Sequence, residues 1–303
     1  MSEAGSRKLQ EGSEASFTRQ DFMSLTKARL SLLVIVTTIV GYLLAAKSAA
    51  NGVDWVNLLH TVIGSGLAAA AASVFNQLME IDIDARMDRT AGRPLPAKKL
   101  PAAAAFAIGW LLAALGIIHL AVKVNSAAAA VAAATLAVYV FIYTPLKRVS
   151  SINTLVGALS GALPPLIGWF AAGGAIGTGM WFLFALLFLW QLPHFLAINW
   201  MYRDQYESAG FVMWSNGDES GSRTSALALI FSAALMILMV TPLIFAFVRW
   251  WAVLALCFAA MVMFLLALKF RFTRTRAAAR RLFLYTLLFL PVSLGLLILG
   301  WRV

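Results

Sequence analysis

The sequence predicts an all-α membrane protein, built as one bundle of nine transmembrane helices. Of its 303 residues, 61% are hydrophobic and only 12% are charged, which is about half the charged fraction of a typical soluble domain. Apolar runs long enough to cross a bilayer core of about 30 Å recur along the whole chain. A membrane barrel would need short strands of alternating polarity, whereas these runs are apolar on every side, so a helical bundle is the expected fold.

The apolar runs divide the chain into a tail and one transmembrane domain. The polar start of the chain, rich in Ser, Glu and Gly, predicts a disordered cytoplasmic tail over 1–22. Residues 23–303 are expected to form a single domain. Its nine predicted spans are 30–46, 58–79, 101–121, 126–143, 152–172, 180–200, 226–248, 251–268 and 282–301.

The net charge of +11 reports topology and not nucleic-acid binding. If the N-terminus is cytoplasmic, all but four of the 24 Lys and Arg residues fall on the cytoplasmic side of the predicted spans. That asymmetry is typical of inner-membrane proteins. The four exceptions are Lys47, Lys123, Arg249 and Arg302.

The remaining compositional features favour a bacterial inner membrane. The tail lacks the Arg-rich, acid-poor character of a mitochondrial transit peptide, and the first apolar run is too long for a signal peptide. Cys257 is the only cysteine and lies within an apolar run, so neither a disulfide nor a thiolate metal site is expected.

The 13 acidic residues are concentrated outside the membrane core. Four lie in the tail, Asp54 lies in the first outer loop, and the other eight form two stretches on the same predicted side. Acidic groups near a membrane core are costly and usually functional, so one site built from both stretches is expected. The stretches are Glu80, Asp82, Asp84 and Asp88, after the second span, and Asp204, Glu207, Asp218 and Glu219, after the sixth.

The first stretch has the spacing of a metal site. Asn76, Glu80, Asp84 and Asp88 follow one another at intervals of four, which places them along one face of a helix. Like charges at that spacing repel, and Mg²⁺, which binds carboxylates together with substrate phosphates, would offset the repulsion. The alternative is an ordinary charged helix end neutralised by nearby arginines.

Basic residues beside these acids predict a polyphosphate pocket. Arg and Lys donors next to metal-binding carboxylates are the groups that recognise phosphates. For Lys147 and Arg148 the alternative is a simple anchor at the membrane surface. The expected diphosphate-binding residues are Lys27, Arg29, Arg89, Arg93, Lys147 and Arg148.

Three long motifs resemble those of UbiA-type intramembrane prenyltransferases. The first is NQLMEIDIDARMDRTAGRPLP at 76–96, which is similar to the first aspartate-rich motif of that superfamily and, in its second half, to the heme O synthase branch. The segments YTPLKRVSSINTLVGALSGALPPLIGW at 143–169 and LWQLPHFLAINWMYRDQYESAGFVM at 189–213 resemble two further motifs of the same branch. The second acidic stretch departs from the superfamily pattern of two aspartates, because only Asp204 aligns, with Glu207 nearby.

The resemblance implies a substrate pair and a metal. The implied donor is farnesyl diphosphate and the implied acceptor is heme b, whose vinyl group would attack the allylic carbon before water adds. The implied ligands of Mg²⁺ are Asn76, Glu80, Asp84 and Asp204, with Asp88 also part of the catalytic set. The implied acceptor-site residues are Tyr143, Trp190, Gln191 and His194, although buried aromatics and a lone histidine also occur as ordinary core residues.

Two other functions remain as alternatives at this stage. Another UbiA-type enzyme would prenylate a quinone precursor or a chlorophyllide. A transporter or cation channel would carry acids across the whole membrane depth, whereas these acids gather on one side. The expected partners are farnesyl diphosphate, heme b and membrane lipid, with an oxidase-assembly factor or heme A synthase as a possible protein partner, and no nucleic acid.

Overall fold

The computed structural model describes residues 17–48 and 52–302, and these residues confirm an all-helical fold. Within them, nine helical segments are long and apolar enough to cross a membrane, in the order the sequence predicts. The helices are α1 (Arg19–Leu25), α2 (Ala28–Lys47), α3 (Trp55–Met79), α4 (Ile81–Asp84), α5 (Ala102–Lys123), α6 (Ser126–Ala137), α7 (Thr144–Leu146), α8 (Asn153–Ala162), α9 (Pro164–Ala171), α10 (Thr178–Met201), α11 (Arg203–Ser208), α12 (Ser222–Leu238), α13 (Thr241–Ile244), α14 (Trp250–Thr273) and α15 (Arg276–Gly300).

Two of the spans are irregular between their ends. The fourth span passes from α6 into a π-helical segment, Val138–Tyr143, before it continues as α7. The fifth span breaks at Leu163, between α8 and α9, because Pro164 and Pro165 have no amide hydrogen to continue the helix. Irregular backbone within a span is tolerated where it lies inside the protein, and both segments line the cavity described below.

The short helix α1 extends into the segment predicted to be a tail. Thr18 and Asp21 form a capping box at its start, and Lys99 Nζ donates to Asp21 Oδ1 at 2.9 Å. The hydrogen bonds from Lys99 and Thr18 lower the pKa of Asp21 to about 2. The predicted tail boundary at residue 22 therefore falls inside an ordered helix, while residues 1–16 lie outside the described part of the chain.

The bundle is organised around α10, α2 and α9. Helix α10 packs against α8, α12 and α15, and α2 packs between α3 and α9. The largest hydrophobic core lies along α10, α12, α14 and α15. The α3–α5 and α2–α9 pairs instead approach closely at glycines, as membrane helices commonly do.

Exposed tryptophans stand near three helix starts at one end of the bundle. Trp55, Trp181, Trp250 and Trp251 are exposed near the starts of α3, α10 and α14. These helix starts lie at the end opposite α1, α4 and α11. Exposed tryptophans at one level are typical of a membrane–water interface. We call this end the aromatic end, and the end that carries α1, α4, α7 and α11 the polar end.

The α2–α9 contact leaves no room for a side chain at two glycines. A Cβ at Gly168 would stand 1.8 Å from the carbonyl oxygen of Thr38, and a Cβ at Gly41 would stand 1.8 Å from that of Pro165. Thr38 Oγ1 also donates to the Pro164 carbonyl at 3.1 Å across the same contact. Gly41 and Gly168 thus allow the close packing of α2 against α9.

We expect Gly168→Ala to destabilise the protein by about 1–3 kcal/mol, because the new methyl group must push α2 and α9 apart. The midpoint of thermal unfolding in detergent measures the effect. Gly295→Ala in α15 is the matched control, since a Cβ there meets nothing within 4 Å and alanine favours a helix. Equal midpoints for the two variants would contradict the assignment of Gly168 to a backbone contact.

Candidate functional site

A cavity of about 330 Å³ lies inside the bundle, between α2, α3, α6, α8, α9 and α10. Small and aliphatic residues such as Ala68, Ala72 and Val34 form most of its wall, so its interior is largely apolar. All four residues predicted to contact the acceptor line it, and so does Lys27. Those four are Tyr143, Trp190, Gln191 and His194. The structure therefore brings residues from distant parts of the sequence together around one cavity.

A cluster of buried charged and polar residues stands near Lys27, at the polar end of the cavity. Glu80 is 4% exposed and Asp84 is 2% exposed, and Asn76 is fully buried. Each of the three is bound to a different cation. Lys147 Nζ donates to Glu80 Oε1 at 2.8 Å, Arg93 Nη1 donates to Asp84 Oδ2 at 2.6 Å, and Lys27 Nζ donates to Asn76 Oδ1.

The row of acids does not lie on one continuous helix. Helix α3 ends at Met79, Glu80 has a non-helical backbone (φ −109°, ψ 12°), and α4 adds only one further turn. Glu80 and Asp84 still face the buried cluster, but Asp88 follows the end of α4 and is exposed. The spacing of four thus correctly groups the first three members of the row and not the fourth.

Lys27 occupies a strained backbone position between α1 and α2. Its φ of 46° and ψ of 51° are left-handed backbone angles that residues other than glycine rarely adopt. Such strain is commonly found at functional sites, and here it turns the lysine toward Asn76. Burial lowers the pKa of Lys27 to about 7, and the neighbouring Lys147 charge acts in the same direction. A polyanion next to this amine would stabilise its charged form.

Lys147 is held between an acid and aromatic rings. Its Nζ lies 4.6 Å from the centre of the Tyr143 ring and 5.7 Å from that of Phe211, within the range of cation–π attraction. Burial acts to lower the pKa of Lys147, but Tyr143 and Glu80 outweigh it and the pKa is raised. Burial likewise acts to raise the pKa of Glu80, but Lys147 and Lys27 hold it below its ordinary value. Both groups are therefore charged at neutral pH.

The π-helical segment orients the residues around Lys147. The extra residue in this turn lets Thr144 bond twice to Tyr139, because both its amide and its hydroxyl donate to the Tyr139 carbonyl. Thr144 Oγ1 in turn accepts a hydrogen bond from Asn76 Nδ2 at 3.3 Å. Single π turns within α-helices are frequent at functional sites. This one connects the fourth span to the buried cluster.

The two acidic stretches meet, but through apolar contacts. Ile83 and Met87 from the first stretch pack against Phe211 and Met213, in the loop after α11. The Val212 amide also donates to the Lys147 carbonyl at 2.8 Å. The carboxylate of Asp204 lies outside the buried cluster. Its side chain is 88% exposed and pairs with Arg203 at 3.2 Å.

Several predicted site residues lie away from the cluster. Asp88, Arg89 and Asp204 are exposed at the polar end. Arg148 Nη2 donates to the Met79 carbonyl at 2.7 Å and so caps the broken end of α3. The side chain of Arg29 is outside the described part of the chain. Of the six predicted diphosphate ligands, the structure places Lys27, Arg93 and Lys147 in the cluster.

The acceptor-side residues are fixed by hydrogen bonds between helices. Trp190 Nε1 donates to the Thr286 carbonyl at 2.7 Å, which joins α10 to α15. Gln191 Nε2 donates to the Leu187 and Ala158 carbonyls at 2.8 and 3.3 Å. Its Oε1 would be 2.1 Å from a Cβ at Gly161, so glycine at that position leaves space for the amide.

The contact of His194 with Thr286 favours one tautomer of the imidazole. Thr286 Oγ1 donates its single proton to the Phe283 carbonyl at 2.6 Å. With that donation, Nδ1 is the donor in the 2.8 Å contact between His194 Nδ1 and Thr286 Oγ1. Nε2 is then left with a free lone pair. The other two histidines, His60 and His119, contact each other at 3.2 Å near the aromatic end and do not line the cavity.

Sequence reasoning did not identify three residues that shape the site. Tyr139 lines the cavity one turn before Tyr143, Thr144 holds Asn76, and Phe211 stacks near Lys147. Tyr139 and Tyr143 share a helical face by their spacing of four, which is a signal that periodicity alone could have found. The other two depend on the π turn and on the fold of a distant loop.

The buried carboxylates have the chemistry of a Mg²⁺ site completed by a substrate. Within the described residues no group of three or more Asp, Glu, His or Cys side chains is placed to hold a metal. Mg²⁺, however, is commonly bound by one or two carboxylates plus substrate phosphates. Glu80 and Asp84 each bind their cation through one oxygen, and Asn76 adds an amide oxygen. This donor set fits Mg²⁺ when a phosphorylated ligand is also present.

Comparisons with known proteins agree with the geometry. The chain is 38% identical to the protoheme IX farnesyltransferase of Solibacter usitatus over 287 residues, covering 92% of this chain and 98% of the relative. It is 39% identical to that of Opitutus terrae over 288 residues, covering 95% and 96%.

Two solved structures share the fold. A digeranylgeranylglyceryl phosphate synthase has a TM-score of 0.78 at 16% identity, covering 93% of this chain and 97% of that one. A UbiA homologue from Archaeoglobus fulgidus bound to GPP and Mg²⁺ has a TM-score of 0.64 at 13% identity, covering 91% and 99%. The model of the UbiA prenyltransferase family matches residues 34–290. The chain belongs to the UbiA prenyltransferase family.

Proposed function

We propose that this protein transfers the farnesyl group of farnesyl diphosphate to a vinyl group of heme b, with addition of water, to make heme O. The observation that carries the proposal is an apolar cavity whose polar end meets a buried cluster of cations and carboxylates. That arrangement suits a diphosphate with a long apolar tail, and the relatives named protoheme IX farnesyltransferase indicate which tail and which acceptor.

The charges of the cluster match those of a magnesium diphosphate. Lys27, Arg93 and Lys147 contribute three positive charges when protonated, and Glu80 and Asp84 contribute two negative charges. The cluster therefore has a net charge of +1. One Mg²⁺ held by Asn76, Glu80 and Asp84 would bring it to +3, which neutralises a fully ionised prenyl diphosphate. Asp204 would need to turn inward to join this set.

The reaction begins when the bond between the allylic carbon and the diphosphate oxygen breaks. Negative charge then grows on the leaving group, and the Lys147, Arg93 and Lys27 cations stabilise it from fixed positions. Preorganised charge of this kind is usually the largest single contribution to catalysis. Asn76, Glu80 and Asp84 would hold Mg²⁺ beside these cations, and the ion would supply Lewis-acid stabilisation of the leaving group.

The cavity would hold the farnesyl chain and shield its allylic cation from water. The farnesyl chain lies among apolar side chains, where each buried CH₂ contributes about 0.8 kcal/mol to binding. The faces of Tyr139 and Tyr143 line the same space and stabilise the allylic cation. Exclusion of water keeps that cation from being hydrolysed before the acceptor attacks.

The acceptor site is the wall formed by α10. A heme vinyl carbon attacks the allylic carbon, and the resulting cation beside the porphyrin takes up a water molecule and loses a proton. His194 has the tautomer that can accept that proton at Nε2, or that can bind the heme iron through the same atom. Trp190 stacks on the His194 ring, with 5.6 Å between ring centres, and holds it in place.

The protein is a multi-pass membrane protein, and we place it in a bacterial inner membrane. The distribution of lysine and arginine supports a cytoplasmic N-terminus and hence a cytoplasmic polar end. Farnesyl diphosphate would then reach the cluster from the cytoplasm. The product would then pass to a terminal oxidase or to heme A synthase.

The test is to incubate the purified protein with farnesyl diphosphate, heme b and Mg²⁺, and to separate the hemes by mass. We expect a new heme that is heavier by a farnesyl group plus water, and its formation should stop when EDTA removes the metal and resume when Mg²⁺ is added back. If diphosphate were released with a quinone precursor and not with heme b, the acceptor would be the quinone precursor. Folded protein that releases no diphosphate with any acceptor would overturn the enzymatic assignment.

A further inference from the structure

A second recess opens at the polar end, and none of its lining residues belongs to the buried cluster. It is a groove of about 800 Å³ between the end of α10 and the start of α15. We call it the α10–α15 groove. It is lined by Met201, Tyr202, Arg276, Ala277, Arg280, Arg281, Phe283 and Leu284.

The groove combines positive charge with an apolar floor. Arg276, Arg280 and Arg281 contribute three guanidinium groups, and no acidic residue of the described chain lines the groove. The nearest carboxylate along α10 and α11, that of Asp204, is already paired with Arg203. The Arg276 guanidinium lies 5.9 Å from the centre of the Tyr202 ring, which orients it at the groove edge.

The floor of the groove reaches the acceptor wall of the cavity. Phe283 lines the groove, and its ring centre is 4.9 Å from that of His194, which lines the cavity. The Phe283 carbonyl also accepts the Thr286 proton that sets the tautomer of His194. Phe283 thus connects the arginines of the α10–α15 groove to His194, the residue proposed to contact the acceptor.

We propose that the α10–α15 groove binds the two carboxylates of the heme acceptor. This inference rests on the proposed function. Heme b carries two propionates on one edge and vinyl groups on another, so an enzyme that reacts at a vinyl group must hold the molecule in one orientation. Arginines bind carboxylates through paired, charge-assisted hydrogen bonds. Three arginines above apolar side chains suit an edge that is anionic and attached to a flat hydrophobic ring.

An anionic lipid headgroup is the competing occupant. Lipid would be drawn equally to Lys269 and Arg271, which belong to the same basic run but do not line the groove. What distinguishes the groove is its contact with His194 through Phe283. If the groove binds propionates, removing Arg280 and Arg281 should weaken heme b binding and removing Lys269 and Arg271 should not. If the basic run only attracts lipid, the two changes should have the same effect.

The experiment compares Arg280→Gln/Arg281→Gln with Lys269→Gln/Arg271→Gln, a control that removes the same charge from the same run. The equilibrium dissociation constants of heme b and of its dimethyl ester are measured by absorbance in nanodiscs of neutral lipid, without farnesyl diphosphate. We expect the groove variant to bind heme b about tenfold more weakly, and the control to match the unsubstituted protein. With the dimethyl ester, all three proteins should bind alike.

Three outcomes would overturn the inference. They are equal weakening of heme b and its ester by the groove variant, equal effects of the two variants, and an effect that is seen only when anionic lipid is added. The last would assign the groove to a lipid headgroup. Failure of this inference alone would leave the unsubstituted protein converting heme b normally. Failure of the proposed function would appear as an unsubstituted protein that neither binds heme b nor yields the heavier product.

Discussion

Asp84→Asn should lower kcat/KM for farnesyl diphosphate by roughly a hundred- to a thousandfold, the usual effect of removing one preorganised electrostatic contact from an active site. The substitution keeps the size of the side chain but removes one of two buried carboxylates. It also releases Arg93, whose guanidinium is bound to Asp84 at 2.6 Å. The Mg²⁺ concentration needed for half-maximal activity should rise in the same variant. Initial rates at several Mg²⁺ concentrations measure both effects.

Asp82→Asn is the matched control for Asp84. Asp82 lies in the same one-turn helix but is exposed, so its loss should change the rate by less than about threefold, as is usual for surface substitutions. The thermal midpoint of each variant separates misfolding from loss of chemistry. Full activity of Asp84→Asn with an unchanged Mg²⁺ requirement would exclude Asp84 from the metal site.

The fold could be predicted because the membrane restricts it. Backbone groups in a bilayer must be satisfied internally, so apolar runs of sufficient length define spans with little ambiguity. The nine predicted segments each overlap a helical segment of the structure. Features that depend on tertiary contacts were not predictable: α1 is stabilised by the Lys99–Asp21 pair, and the π turn before Thr144 has no sequence signature.

Only part of the candidate site could be predicted from the sequence. Intervals of four group Asn76, Glu80 and Asp84, and the structure buries all three, because only Glu80 interrupts the helical backbone between α3 and α4. The fourth member, Asp88, lies beyond the end of α4, where the interval no longer describes the backbone. The partner of each acid depends on how the spans pack, so Lys147, which is 67 residues from Glu80, could be assigned only to the same side of the membrane.

Because this packing places Lys147 against Glu80, substitution of Lys147 should also have a large effect on activity. Lys147→Met removes the cation that faces both Glu80 and the proposed leaving group, and we expect kcat to fall by roughly a hundred- to a thousandfold. The substitution also leaves Glu80 buried without its partner, at a cost of about 3–5 kcal/mol of stability. A loss of activity in this variant alone could therefore reflect unfolding.

The double variant Glu80→Gln/Lys147→Met separates the two effects. It has no unpaired buried charge at this contact, so its thermal midpoint should recover toward that of the unsubstituted protein while its activity stays low. Lys147→Arg keeps the charge and should retain more activity than Lys147→Met. The control is Lys99→Met, which removes a lysine from the Lys99–Asp21 pair outside the cluster and should leave kcat nearly unchanged. If the double variant recovered activity together with stability, Lys147 would be a structural partner of Glu80, and stabilisation of the leaving group would rest on Lys27 and Arg93.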